Sequence, residues 1–503
     1  MSVLSIQNLC VQYIGSNVHA AKDVSFAIEE GEIFALVGES GSGKSTVLQS
    51  ILRILPAPGM ITNGNIVLDG KQILSLSQEE IRTLRWRHAS MVFQSALAAL
   101  HPTLRISALF ADTAQAHGVT LSTERIAELC SLVEISTDVV QKYPHELSGG
   151  QRQRLVIALA LLLKPSLIIF DEPTTALDVI VERDILDRIC LLQQKEGFSA
   201  LVVTHDLPLI LRYAHRVGIM KDGILLEVRT PQELREGAEH PYTQRLLQAE
   251  DDLKTIQQHQ QSSDVVLRVE KLHRYFGTLH AVRGISFSIG KGEAHALIGG
   301  SGCGKSTTAN MICGLLPATK GNIWLSDTKI VAPNPSVQMV FQDPFAALNP
   351  VHTIAHHLHR PLKTTGMHSR KEREKRIADL LRAVELEPGF ATRYPHELSG
   401  GQRQRVIIAR ALAANPTVLI ADEPTSMLDL SVRKGVLDLL ATLCQQGISI
   451  LMITHDIRAA SYLCGTIHVM EQGVIVESDS SYNIMHHARH RYTQTLIKAT
   501  EET

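Results

Sequence analysis

Apolar and polar positions divide this chain into two halves that read alike. Each half opens on strand-like text, Val3 to Val11 and Val266 to Leu272. Each then shows a second apolar run, Glu32 to Val37 and Glu293 to Ile298, that feeds a glycine-rich turn. Further on, Leu167 to Phe170 and Val418 to Ala421 are short apolar runs that each end in an Asp-Glu pair. The longest apolar stretch, Leu155 to Phe170, is broken by Lys164 and Pro165. It is expected to be a buried helix followed by a buried strand, and it falls short of the roughly 18 apolar residues of a membrane span.

The regions between Gln94 and Ser148, and between Gln342 and Ser399, are expected to be helical, and Arg370 to Glu387 is predicted to be an amphipathic helix with a solvated basic face. From Asp251 to Asp264 apolar residues almost vanish, which suits a solvated linker. The expected organisation is therefore a domain over 1–250, a linker over 251–264 and a second domain over 265–503.

Composition narrows the classes. With 503 residues, 20% charged, 44% hydrophobic and a formal charge of -2, the chain lacks the basic excess of a nucleic-acid binder, and its length suits two domains. Met1 to Asn8 shows no basic segment leading into an apolar one, so no secretory signal is expected and a cytoplasmic setting is. Seven cysteines without C-x-x-C spacing argue against a disulfide framework or a zinc site. Cys303 reads as a small residue in a tight turn.

The chemistry is written twice. Gly38-Glu39-Ser40-Gly41-Ser42-Gly43-Lys44-Ser45 returns as Gly299-Gly300-Ser301-Gly302-Cys303-Gly304-Lys305-Ser306, with Thr46 and Thr307 next in line. A glycine-rich turn between strand and helix lets backbone amides surround phosphates, while the helix adds the positive end of its dipole. Lys44 and Lys305 are expected on the β- and γ-phosphates of a bound nucleotide, and Ser45 and Ser306 on Mg²⁺. Asp171 and Asp422 are expected in the Mg²⁺ shell. Glu172 and Glu423 would orient the attacking water or take its proton. His205 and His455, each in a Thr-His-Asp after a later strand, are expected to contact the γ-phosphate. Tyr13 and Tyr275 are candidates for stacking on adenine, a contact worth about 1–3 kcal/mol. A second glycine element, Ser148-Gly149-Gly150-Gln151 and Ser399-Gly400-Gly401-Gln402, opens a helix and offers another anion site.

Across nearly the whole of both halves the text resembles the ATP-binding-cassette ATPases. The resemblance implies an α/β fold of two tandem P-loop NTPase domains, each with a mixed or parallel sheet core and a helical subdomain. It also implies that Gln94 and Gln342 are Q-loop glutamines contacting nucleotide and Mg²⁺, that Ser148 to Gln151 and Ser399 to Gln402 are signature motifs, and that Asp178 and Asp429 are D-loop aspartates. Two composite sites are implied: Lys44, Glu172 and His205 with Ser399 and Gly401, and Lys305, Glu423 and His455 with Ser148 and Gly150. Both keep a Glu and a His, so both are expected to hydrolyse ATP.

His240-Pro241-Tyr242-Thr243, Arg491-Tyr492-Thr493 and the repeated Tyr-Pro-His-Glu-Leu at Tyr143 and Tyr394 resemble the oligopeptide, dipeptide and nickel importer group. That group implies two integral-membrane permeases, an extracytoplasmic substrate-binding protein, a peripheral position on the cytoplasmic face of the inner membrane, and peptides or metal chelates as cargo. The first half departs at Gln94-Ser95-Ala96, where the second reads Gln342-Asp343-Pro344, and at His101 in place of Asn349, which bears on permease contact. Leu159 stands where the second half has Arg410, which is expected to alter local charge pairing. No cysteine cluster follows Thr243 or Thr493, so no iron–sulfur cluster is expected. The histidines at 352, 356, 357 and 359, and at 486, 487 and 490, are expected to be solvated surface. The alternatives are an exporter ATPase and a twin-cassette protein acting on ribosomes or nucleic acid; the short polar linker and near-neutral charge weigh against the latter.

Overall fold

Runs rich in Val, Ile, Leu and Ala with no polar face form strands covered on both sides, and alternating runs form strands with one wet face. Both kinds occur in each half of the computed structural model, which describes residues 2–15, 19–94, 99–174, 177–253 and 262–501. The chain divides into two compact units, residues 1–177 with 181–248, and residues 249–502 with 178–180.

In the first unit the strands are β1 (Ser2–Tyr13), β2 (His19–Glu29), β3 (Ile33–Gly38), β4 (Gly59–Leu68), β5 (Lys71–Gln72), β6 (Ala89–Val92), β7 (Leu167–Asp171), β8 (Ser199–Thr204), β9 (Arg216–Lys221) and β10 (Ile224–Arg229). An antiparallel sheet has the order β2-β1-β4-β5, and a six-stranded sheet the order β10-β9-β3-β8-β7-β6. Strands β6, β7, β8, β3 and β9 run parallel, and β10 returns antiparallel to β9. β3, β7 and β8 are buried along their whole length.

The second unit repeats this plan with β11 (Val265–Phe276), β12 (Leu279–Gly290), β13 (Ala294–Ile298), β14 (Lys320–Leu325), β15 (Thr328–Lys329), β16 (Val337–Val340), β17 (Val418–Asp422), β18 (Ser449–Thr454), β19 (Thr466–Glu471) and β20 (Val474–Ser480). Its sheets are β12-β11-β14-β15 and β16-β17-β18-β13-β19-β20.

Helices fill the chain between the site strands: Ile106–Ala116 and Thr123–Leu132 in the first unit, Ile354–Thr364 and Arg370–Ala383 in the second. The amphipathic helix buries Ile377, Leu380 and Leu381 and leaves Arg370, Lys371, Lys375 and Arg382 exposed, while Arg373 turns back to the Met367 and His368 carbonyls. The stretch before Phe170 is the helix Gly149–Ala160 followed by β7, as its break at Lys164 and Pro165 implies. The helix Pro241–Leu253 runs into the polar stretch, and Leu253 is buried in the second unit's core; residues 254–261 lie outside the described residues. No helix among the described residues is long and apolar enough to cross a membrane.

The two cores are packed differently at one matched place. In the first unit Phe34 stacks on Phe26 with centroids 4.9 Å apart, beside Gly218, where a Cβ would lie 3.1 Å from the Phe34 ring. The Arg216 guanidinium lies over Phe34 and pairs with Glu32 at 2.7 Å. In the second unit His295 and His468 occupy the places of Phe34 and Gly218. They form a buried chain in which Glu293 lies 3.1 Å from His295 Nε2, His295 Nδ1 lies 3.2 Å from His468 Nε2, and His468 Nδ1 lies 2.7 Å from Ser478 Oγ.

Burial holds both imidazoles below the ordinary histidine value, His468 down to about 3. Below about pH 6.5 an unfolded chain protonates them and the folded chain does not. Their contribution to stability is therefore present above that pH and is lost as pH falls. The melting temperature of the second unit should drop more between pH 7 and pH 5 in the natural chain than in a His295→Phe, His468→Gly variant that copies the first unit. Parallel pH profiles in differential scanning calorimetry would contradict this.

Candidate functional site

Parallel neighbours deliver their carboxyl ends to one edge of a sheet, so the residues just past β3, β6, β7 and β8 share that edge. These are the phosphate-loop residues, Gln94, Glu172 and His205. Register supports it: Asp171 pairs with Val203, and Val37 with Thr204.

The glycine loop leaves β3 and enters the helix Lys44–Ile51 through Gly43, at φ 97°, where a Cβ would fall 2.1 Å from the Ala20 carbonyl. Only glycine tolerates both the left-handed backbone and that approach. Gly304 does the same at φ 108° before the helix Lys305–Ile312. Lys44 is buried, and its Nζ donates to the carbonyls of Gly38 and Glu39, both at 2.7 Å. Lys305 Nζ donates to those of Gly299 at 2.7 Å and Gly300 at 2.9 Å. Each ammonium is thus folded onto its own loop, whose carbonyls hold it where phosphate oxygens would take it. Ser40, Gly41, Ser45, Ser301, Gly302 and Ser306 are exposed, and Thr46 and Thr307 half-buried. Cys303 is buried beside Lys305, its thiol pushed up chiefly by that burial.

Ser45 Oγ donates to Asp171 Oδ1 at 3.3 Å, and Ser306 Oγ to Asp422 Oδ1 at 3.5 Å. Both aspartates are pushed up to about 6, first by burial and then by the adjoining Glu172 or Glu423. Those glutamates adopt left-handed backbone, φ 47° and 50°, a conformation costing about 1 kcal/mol or more in a residue with a side chain. Their amides still bond to Val203 and Ile453, so the sheet holds the turn. Glu172 Oε2 accepts from Gln94 Nε2 at 2.8 Å, with His205 Nδ1 3.6 Å away. In the second unit His455 Nδ1 lies 2.9 Å from Glu423 Oε1, while Gln342 is exposed past β16.

The second glycine element is local in its bonding. Ser148 accepts from the Gln151 amide and donates its own amide to the Gln151 side chain, a capping box that starts the helix; Ser399 and Gln402 repeat it before the helix Gly400–Leu412. The glycines between them leave room for a neighbour: a Cβ at Gly401 would fall 2.2 Å from Val432 Cγ1, and at Gly150 3.2 Å from Val181 Cγ1. Gly149 and Gly400 are roomier, at 3.5 Å and 3.8 Å from leucine side chains. Asp178 and Asp429 stand directly before the helices Val179–Glu196 and Leu430–Gln445.

Tyr13 ends β1 opposite Gly59, and Tyr275 stacks on His280 at 3.8 Å. Arg410 donates to the Ala347 carbonyl at 2.7 Å, so the arginine that Leu159 replaces serves backbone and not a charge pair. His101 meets Thr103 at 3.1 Å, and Asn349 accepts the Val351 amide at 3.1 Å; Ser95 and Ala96 lie outside the described residues. His352 and His356 stack at 3.9 Å. No group of three or more His, Cys, Asp or Glu side chains among the described residues is arranged to hold a metal ion.

The sequence pattern of the ABC transporter family matches residues 21–175 and again 282–426, both spanning a glycine loop, a signature element and an Asp-Glu strand end. The chain belongs to the ABC transporter family. The pattern of an oligopeptide/dipeptide transporter C-terminal region matches residues 476–503.

Among its relatives is a protein of Pectobacterium atrosepticum named glutathione import ATP-binding protein GsiA, 36% identical, with the alignment covering 99% of this chain and 89% of the relative. The protein of the same name in Escherichia coli is 34% identical over the same shares. Among solved structures, cbiO1 from Clostridium perfringens, described as part of the ABC transporter complex cbiONQ, is 31% identical with a TM-score of 0.41, covering 44% of this chain and 91% of that one. The two units are ABC ATPase cassettes, each binding ATP, in an ATPase coupled to transport across a membrane through permease partners.

Gly401→Ala should destabilise the second cassette by about 1–3 kcal/mol through overpacking against Val432, and Gly150→Ala the first by less. Adding Val432→Ala to Gly401→Ala should restore most of the loss. Urea unfolding measures all three variants; equal losses at the two glycines would contradict the packing account.

Proposed function

We propose that this chain is the ATP-hydrolysing subunit of an importer for peptides of the size of glutathione. It would work on the cytoplasmic face of the inner membrane, on two permeases fed by an extracytoplasmic binding protein. The observation that carries the reading is the coincidence of two hydrolytically equipped cassettes with an oligopeptide-type C-terminal region. The relatives named for glutathione import support peptide over nickel cargo.

In each cassette the loop amides and Lys44 or Lys305 bind the triphosphate. Tyr13 and Tyr275 would stack on the base, Tyr275 with the ring face that His280 does not cover, and the signature helix ends at Ser148 and Ser399 would offer further amides to anionic oxygen. Glu172 and Glu423 take up or orient the proton of the attacking water, held in place by a backbone turn fixed in the sheet, with His205 and His455 beside them.

The donor set fits Mg²⁺: the Ser45 and Ser306 hydroxyls stand 3.3 Å and 3.5 Å from the buried Asp171 and Asp422 carboxylates, a cluster of hard oxygen donors. Ser45, Asp171 and Gln94, and Ser306, Asp422 and Gln342, would hold it. When bound, the ion neutralises charge on the phosphates.

Reconstituted with its permeases and a binding protein, the chain should show ATPase stimulated by glutathione or a short peptide; indifference to these partners, with stimulation by ribosomes or RNA, would refute the importer reading. Glu172→Gln with Glu423→Gln should retain ATP binding while kcat falls about 10²- to 10⁴-fold. An undiminished rate in that double variant would remove both glutamates from the chemistry.

A further inference from the structure

The tyrosine of the C-terminal element Arg491-Tyr492-Thr493 has a partner that its sequence does not announce. Glu477 on β20 accepts the amides of Arg489 at 2.7 Å and His490 at 3.1 Å, and His490 Nδ1 accepts that of Tyr492 at 3.3 Å. These bonds fix the start of the helix Arg491–Glu501, which buries Thr493, Leu496 and Ile497. So anchored, Tyr492 brings its hydroxyl to the second phosphate loop, where Oη accepts the Gly300 amide at 2.7 Å. Burial foremost pushes that hydroxyl up to about 12, so it remains a neutral phenol.

Residue 300 is gripped on both sides. Its N–H goes to Tyr492, and its carbonyl takes the Lys305 ammonium at 2.9 Å. It also carries no side chain: a Cβ there would stand 3.0 Å from the Tyr492 hydroxyl. The first cassette has Glu39 at this loop position, and its Tyr242 ring lies 4.5 Å from the Lys221 ammonium.

We propose that Tyr492 is a positioning residue of the second nucleotide site, its hydroxyl fixing Gly300 and, through the Gly300 carbonyl, the place from which Lys305 meets phosphate. The C-terminal segment is thereby a working part of that site. The inference rests on the reading of the Lys305 loop as an ATP site.

The test uses the full chain carrying Lys44→Ala, so that binding of a fluorescent ATP analogue, mant-ATP, reports the second site. Adding Tyr492→Phe, which keeps the ring and removes the hydroxyl, should raise Kd about fivefold, the worth of one hydrogen bond, with the melting temperature lowered by no more than about 2–4 °C. Hydrogen exchange of the Gly300 amide, protected in nucleotide-free natural protein, should speed up at least about tenfold while Ala294–Ile298 keeps its protection.

Unchanged Kd and exchange in Tyr492→Phe would overturn the proposal. Should that variant not fold, the natural protein alone decides, because a rapidly exchanging Gly300 amide overturns the proposal and a protected one supports it. A Lys44→Ala, Lys305→Ala chain that still binds mant-ATP would instead remove the ATP-site reading beneath it.

Discussion

In both cassettes a strand with no exposed side chain runs into a turn whose amides must converge, and the turn must end in a helix that starts on a lysine. The backbone can do this only if Gly43 and Gly304 sit in left-handed conformation against a neighbouring carbonyl. Gly38 and Gly299, at the strand ends, press as closely on the carbonyls of Met220 and Met470, 2.2 Å and 2.1 Å from where a Cβ would stand. The close approach ties each loop to the adjoining parallel strand, β9 or β19. The lysine, the aspartate, the glutamate and the histidine are then assembled by strand order, without any long loop to search for them.

Within that frame the two copies have diverged where the frame permits it. Where the first cassette has Phe34 and Gly218 the second has His295 and His468, two side chains of middle size joined through their nitrogens in place of one large and one absent. Ser42 is matched by Cys303 beside the lysine, and Glu39 by Gly300 beneath Tyr492. The Lys, Asp, Glu and His that meet at the sheet edge are the same in both cassettes, although Ser42 and Cys303 each contact the loop lysine, at 3.4 Å and 3.9 Å. The cores and rims of the cassettes are tuned separately while the sheet edge is kept.

The phosphate loops, the Asp-Glu strand ends, the terminal histidines and the capped signature helices were legible in the sequence, because each depends on a few neighbouring residues with distinctive chemistry. The Pro165 break likewise separated the buried helix from β7. What was not legible depends on contacts distant in the chain. The left-handed backbone at Glu172 and Glu423 is set by bonds to Val203 and Ile453, and no residue type marks it. The bond from Gly300 to Tyr492 spans 192 positions, and the fit of Gly401 against Val432 is a matter of side-chain volume. Gln94 and Gln342 look equivalent in sequence, yet only Gln94 hydrogen-bonds the adjoining glutamate; His455 is the contact to Glu423.

Two intact cassettes should bind two nucleotides. Equilibrium dialysis of the full chain with a non-hydrolysable ATP analogue counts them directly. The natural chain should saturate at two nucleotides, either Lys44→Ala or Lys305→Ala alone at one, and the double variant should bind none. Saturation of the natural chain at a single nucleotide, or a count that neither lysine changes, would contradict this.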